Sequence, residues 1–201
     1  MASEARSLIV ELDVAVSRAS DSWRSELLRR VTDLLIGGAE NYSDHQIAIF
    51  GDIIGRLTEN AEIPALIELS ARLAPLDRVP MNVVAGLARN DDIAISGPVL
   101  ELSGVLSDET LVDIATTKWP NHLVAIAGRD RLSETITELL IQRGNSEVAL
   151  RLIGNHGAQI SELGFVKLIG QAKTDKTVAA AIATRTDMPA ELAPFLKLTL
   201  S

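Results

Sequence analysis

The sequence predicts an all-α protein: a right-handed α-solenoid of helical hairpins, preceded by an N-terminal helical cap or bundle. Three observations predict it. Leu106-Ser107-Asp108-Glu109 returns as Leu132-Ser133-Glu134, as Ile160-Ser161-Glu162 and, more weakly, as Met188-Pro189-Ala190-Glu191, at offsets of 26, 28 and 28 residues. A period of that size is what stacked helical hairpins leave in a sequence. Apolar residues make up 47% of the 201 and aromatic residues only 3%, a balance that suits helices packed through small and branched side chains and argues against a disordered chain. Finally, no stretch alternates apolar and polar residues over the length of a convincing strand; Leu196 to Leu200 alternates but is short.

The elements follow in order. Residues 3–18 place Leu8, Ile9, Leu12 and Val16 on one helical face. Ser20-Asp21-Ser22 reads as a cap for a second helix carrying Trp23, Leu27, Leu28, Val31, Leu34 and Leu35, which Gly37-Gly38 ends. Ser43-Asp44 opens a third helix with Ile47, Phe50, Ile53, Ile54 and Leu57 on its face, and Ile63-Pro64 opens a fourth, with proline in the first turn. Residues 1–75 therefore read as about four helices, either a bundle or divergent repeats that cap an array.

Residues 76–201, continuous with the first part, read as repeats with units near 79–105, 106–131, 132–159 and 160–187. Each unit has two helices, A and B. Helix A starts at Val79-Pro80, Leu106-Ser107, Leu132-Ser133 and Ile160-Ser161, with a serine cap in three of the four. Asp108, Glu109, Glu134 and Glu162 occupy first turns, where the helix dipole favours an anion, and Arg89, Lys118, Arg143 and Lys173 stand at the opposite end, where it favours a cation. Helix B opens near Asp91, Asn121, Asn145 and Asp175 and closes near Gly104, Arg129, Asn155 and Arg185. Gly97-Pro98 is expected to kink or restart the first helix B. Phe165 and Phe195 read as core.

Val83-Val84-Ala85-Gly86-Leu87-Ala88-Arg89-Asn90-Asp91-Asp92, then Pro98-Val99-Leu100-Glu101-Leu102-Ser103, Leu106-Ser107-Asp108-Glu109-Thr110-Leu111 and Ala125-Ile126-Ala127-Gly128-Arg129 resemble the core of an uncharacterised bacterial family. It is the domain of unknown function numbered 2336, found mainly in alphaproteobacteria. The resemblance runs from about residue 60 to 195, and the same segment is similar to HEAT-like repeats in general. It implies HEAT-like hairpins and, because family members are often longer, a chain that is the N-terminal piece of a larger protein. It implies no activity and no catalytic residues.

Composition narrows the function classes. The net charge is −8, and neither half of the chain is basic. Nucleic-acid affinity rests mainly on neutralising phosphates, so this balance counts against it. There is no cysteine, which removes disulfides and thiolate metal sites. The N-terminal Met-Ala-Ser-Glu-Ala-Arg lacks the pattern of a signal peptide, and no apolar run is long enough to cross a bilayer, so the expectation is a cytoplasmic protein without a membrane span.

Motifs of chemistry are scarce. His45, His122 and His156 show no ligand spacing and read as surface or cap-adjacent. No Gly-x-Ser-x-Gly elbow is present, and Gly170-Gln171-Ala172-Lys173-Thr174 lacks the upstream glycine of a phosphate loop. The adjacent Asp91 and Asp92 are explained as caps. No catalytic, cofactor or metal residue is assigned.

The remaining candidates are the recurring polar positions. Arg129, Asn155 and Arg185 fall once per unit, and in a solenoid equivalent positions align in a row that can meet an acidic peptide or phosphates. Arg89 belongs to the parallel row at the other helix end. Dipole complementation and solubility explain the same residues without a ligand. Trp119, before Pro120, reads either as a plug over the core or as a binding hot spot. Together these five form the candidate partner-binding set. The sequence points to a non-catalytic protein-interaction or scaffold module with a protein or peptide partner. Nucleic-acid binding is the second reading and an enzyme with an unrecognised site the third.

Overall fold

The structure is a computed structural model, and it describes residues 21–200. The helix expected over 3–18 lies outside the described residues. Among the described residues the chain is all-helical, with twelve α-helices, two short 3-10 turns and no strand. The helices are α1 (Asp21–Gly38), α2 (Asp44–Thr58), α3 (Ile63–Leu73), α4 (Met81–Ala88), α5 (Ile93–Leu102), α6 (Asp108–Thr117), α7 (Pro120–Ala127), α8 (Glu134–Arg143), α9 (Ser146–Gly154), α10 (Glu162–Ala172), α11 (Lys176–Ile182) and α12 (Ala193–Leu200). They form two compact units: residues up to 99 with 103–105, and 100–102 with 106 onward. The units divide within and just after α5, whereas the change of pattern in the sequence falls near residue 75.

Local chemistry explains most helix starts. Ser43 and Gln46 form a reciprocal capping box, the Gln46 amide donating to Ser43 Oγ at 3.3 Å and the Ser43 amide to Gln46 Oε1 at 2.9 Å. Ser107, Asn145, Ser161 and Asp175 accept from backbone amides at the starts of α6, α9, α10 and α11. Three expectations need correction. Asp92, not Asp91, caps α5, accepting from the Ala94 amide at 2.9 Å. Asn121 does not cap α7, which starts at Pro120 with Trp119 in the cap position; a proline there has the required φ and no amide to satisfy. Pro98 does not restart its helix, since α5 runs through it, forgoing the single backbone bond that a proline at 98 cannot donate.

In the first unit, α1 pairs with α2 and α3 with α4, while α1 also packs on α3 and α2 on α4. The core is formed by Leu28, Leu35, Ile54, Leu57, Leu69, Leu73 and Val84. Gly51 permits the approach of α2 to α4: a Cβ there would sit 2.6 Å from Asn82 Oδ1 and 2.9 Å from Pro80 Cβ. Arg29 and Arg72 on α1 and α3 pair with Glu68 and Asp33, at 2.8 Å and 2.5 Å. The N-terminal helices thus pack on both their sequence neighbours and their second neighbours.

The second unit repeats that scheme. Hairpins α6–α7, α8–α9 and α10–α11 are each self-packed, and α6, α8, α10 and α12 pack in succession, as do α7, α9 and α11. Between the rows lie Leu111, Ile114, Leu123, Ile126, Leu140, Leu152, Phe165, Leu168 and Ile182, all buried. Loops join units as well. The Leu132 amide donates to the Gly157 carbonyl at 3.2 Å, and the Gln159 amide to the Leu132 carbonyl at 3.0 Å, making one isolated parallel bridge. The terminal alternation at Leu196 to Leu200 belongs to helix α12.

The bridge sets a steric requirement. At Gly157 a Cβ would overlap the Asp130 carbonyl oxygen. Gly157→Ala should therefore destabilise the protein by about 1–3 kcal/mol, the usual range for forcing a methyl into packed atoms. A urea unfolding midpoint that does not move would refute this.

Candidate functional site

Helices α4 to α12 are 7 to 11 residues long. Each α-helix leaves its last four carbonyls without an internal partner, so helices this short leave a third or more of their acceptors open. The recurring polar residues meet that need. Arg129 Nη1 donates to the Leu100 carbonyl at the end of α5 at 2.7 Å. Asn155 Nδ2 donates to the Ala127 carbonyl at the end of α7 at 2.9 Å, and to the Arg129 carbonyl at 2.6 Å. Arg185 Nη1 donates to Ile153, near the end of α9, at 3.2 Å, and to the Asn155 carbonyl at 2.7 Å. One donor per unit thus reaches back to the terminal carbonyls of the preceding helix B.

The A helices carry the same device. Arg143 donates to the Ala115 carbonyl of α6, and Gln171 Nε2 to the Ile141 carbonyl of α8 at 3.2 Å. Arg143 stands in the last turn of its own helix, as expected, and also donates to a carbonyl near the end of its neighbour. At the helix starts, Ser133 Oγ does not cap α8; it donates to Asp108 Oδ2 at 2.6 Å, and Ser161 Oγ donates to Glu138 Oε1 at 2.9 Å. In the first unit, Arg78 plays the equivalent part, donating to the carbonyls of Ala39 at 3.1 Å and Tyr42 at 2.7 Å.

The five candidate residues therefore separate. Arg185 is 6% exposed; besides its carbonyl bonds it forks onto Asp187, with Nε–Oδ1 at 2.7 Å and Nη2–Oδ2 at 2.5 Å, and lies over the Phe165 ring at 5.9 Å. A group so placed is not presented to a partner. Its bond holds the Asp187 carboxyl below the usual carboxylate range, against the opposing pull of burial. Arg129 is half-buried, and burial pushes its guanidinium below the ordinary arginine value, with Asp108 opposing. Arg89 is an exposed residue at the end of α4. Trp119 is 72% exposed, so it does not plug the core. His122, read as surface or cap-adjacent, lies in the first turn of α7 and is buried there at 2% exposure. Phe195, expected in the core, is 59% exposed.

Two concavities lie in the second unit. One, of about 540 Å³, brings together Arg129 and Asn155 with Arg151 and His156. Its basic groups already have partners nearby: Arg151 pairs with Glu101, and Arg129 holds Leu100. The other, of about 650 Å³, is lined by Val166, Ile169, Gly170 and Lys173 of α10, Lys176 of α11, Leu192, and Phe195, Leu198 and Thr199 of α12. Apolar side chains dominate it, and among the described residues lining it the charged ones are the two lysines. Sequence reasoning did not place this groove, because Phe195 reads as a core residue and only the packing of α12 leaves it outward beside Leu198. Among the described residues no cluster of His, Asp or Glu is placed to hold a metal ion, and no helix is long and apolar enough to cross a membrane.

The model of a family described as an uncharacterised protein conserved in bacteria, DUF2336, matches residues 95–197, just over half of the chain. The chain belongs to that family. The match starts in α5 and ends in α12, so it covers the capping rows and the groove's lining except Leu198 and Thr199. No curated protein and no solved structure matches the chain.

Two consequences follow for the polar row and the turn. Arg185→Met would leave the carbonyls of Ile153, Asn155 and Ala158 without this donor and remove the partner of the half-exposed Asp187, so a loss of roughly 2–4 kcal/mol in unfolding free energy is expected. Because the folded pKa of Asp187 is lowered, its contribution is present above the unfolded carboxylate value of about 3.9 and is lost as pH falls through the folded value. The acid limb of stability against pH should therefore flatten in the variant; an unchanged acid limb would contradict the pairing. Trp119→Ala, by contrast, should change stability by no more than about 0.5 kcal/mol, and a larger loss would restore the plug.

Proposed function

We propose that the chain is a non-catalytic interaction module, built as a right-handed α-solenoid of HEAT-like hairpins, which holds a partner protein against its second unit. Second-neighbour packing and a donor that recurs once per unit support the solenoid reading. The observation that carries the interaction reading is the groove beside α10 and α12, where Val166, Phe195 and Leu198 stand exposed together. Apolar side chains gathered in one open concavity mark contact surfaces, whereas single exposed apolar residues need no explanation. Among the described residues that line the groove there is no carboxylate or histidine to serve as acid, base or nucleophile.

The phosphate-binding reading has less support. Of the two arginines it favours, Arg185 is buried against Asp187 and Arg129 is bonded to Leu100, and the net charge of −8 opposes a polyanion.

A photo-crosslinking side chain placed at Leu198 in the full chain, expressed in its native cell, tests the proposal. A discrete protein adduct is expected there and none at Leu34, which is also exposed (62% against 76% for Leu198) but lies outside the groove. Failure to form any protein adduct at Leu198 would overturn the proposal, as would substrate turnover by the purified protein.

A further inference from the structure

The groove has the geometry of a helical trough. On α10 its wall is Val166, Ile169, Gly170 and Lys173, spaced i, i+3, i+4, i+7; on α12 it is Phe195, Leu198 and Thr199, spaced i, i+3, i+4. These are the ridges of two helices that pack on one another, and the furrow between such ridges takes the ridge of a third helix. Midway along the α10 wall, Gly170 leaves a gap: a Cβ added there meets nothing within 4 Å.

Backbone chemistry favours a helix over an extended segment. Both walls are α-helices, whose central amides and carbonyls are already bonded internally, so an extended peptide would find no sheet edge to pair with. Its own amides would then be buried against apolar side chains at a cost. A helix arrives with its backbone satisfied. Charge then selects its polar flank. Among the described residues that line the groove, Lys173 and Lys176 are the charged ones, and both are exposed. A second copy of this chain carries −8 and repels the first over the rest of the surface, so the lysines favour a different protein that presents carboxylates locally.

We infer that the groove between α10 and α12 receives an amphipathic helix of a partner protein, with an apolar i, i+3, i+4, i+7 stripe against Val166, Ile169, Phe195 and Leu198 and Asp or Glu side chains beside Lys173 and Lys176. This deepens the interaction-module reading and rests on it.

A displayed library of random peptides about twenty residues long, long enough for a stable helix, selected on the full chain, is the test. The enriched sequences should carry the apolar stripe with acidic flanks and become helical by circular dichroism when bound. Gly170→Trp should abolish their binding without lowering the unfolding midpoint, since glycine is the poorer helix former. Lys173→Glu/Lys176→Glu, at two exposed positions, should weaken binding about fivefold or more and improve it for peptides whose Glu residues are exchanged for Lys. Enriched peptides that are extended or basic overturn the inference, as do peptides that bind the Gly170→Trp and double-lysine variants as tightly as the parent. Saturable binding of oleate that Gly170→Trp removes, with no helical peptide enriched, also overturns it and assigns the groove to a small amphiphile. A protein adduct at Leu198 obtained alongside any of these results leaves the interaction module standing and removes only the helix.

Discussion

Open carbonyls at the ends of short helices are the constraint on which the rest of this structure depends. A helix of eight residues, such as α7, has as many carbonyls outside its internal ladder as inside it. An acceptor left buried and unmet costs on the order of 1–3 kcal/mol. The chain meets this need with a side chain placed one unit further on: Arg129 for α5, Asn155 for α7, Arg185 for α9, and on the other row Arg143 for α6 and Gln171 for α8. Each bond reaches 28 to 32 residues along the chain. Apolar stacking supplies most of the attraction between units but tolerates sliding, and a directional bond to one carbonyl fixes the register.

The same constraint decides where function is not. Residues that recur once per unit in a repeat protein invite a reading as a row of ligand contacts. Here the row faces inward, toward the preceding unit. Arg185 illustrates why arginine suits the position: one planar fork serves Asp187 while the remaining donors serve the carbonyls of Ile153, Asn155 and Ala158. Asn155 does comparable work with a shorter reach, its amide bonding Ala127 and Arg129 and its carbonyl accepting from the Gly157 amide. The polar rows leave apolar surface untouched, and in the second unit exposed apolar side chains gather beside α10 and α12.

Several expectations failed for one shared reason. Phe195 has the hydrophobicity of a core residue, yet α12 turns it outward, while Leu192 just before α12 and Leu196 within it are buried. His122 looks like a polar cap neighbour in sequence, yet the first turn of α7 carries it inward. Trp119 precedes a proline at the start of a short helix, and that position holds its ring away from the core. In each case the residue type and its immediate neighbours allow either face, and the choice belongs to the helix packed alongside.

Locally, the amino-acid order determined a great deal: the all-helical class, the positions of most helix starts, the caps at Ser43, Ser107, Asn145, Ser161 and Asp175, and the family. These depend on side chains within four residues of the backbone groups they serve, so spacing alone exposes them. Only the tertiary structure decided what Arg129, Arg143, Asn155 and Arg185 bind, that the helices before α5 share the second-neighbour packing of those after it, and that a groove opens beside α12. Those outcomes depend on which carbonyls and which faces lie opposite one another across units some thirty residues apart. No local pattern encodes that pairing, because it exists only once the helices have stacked.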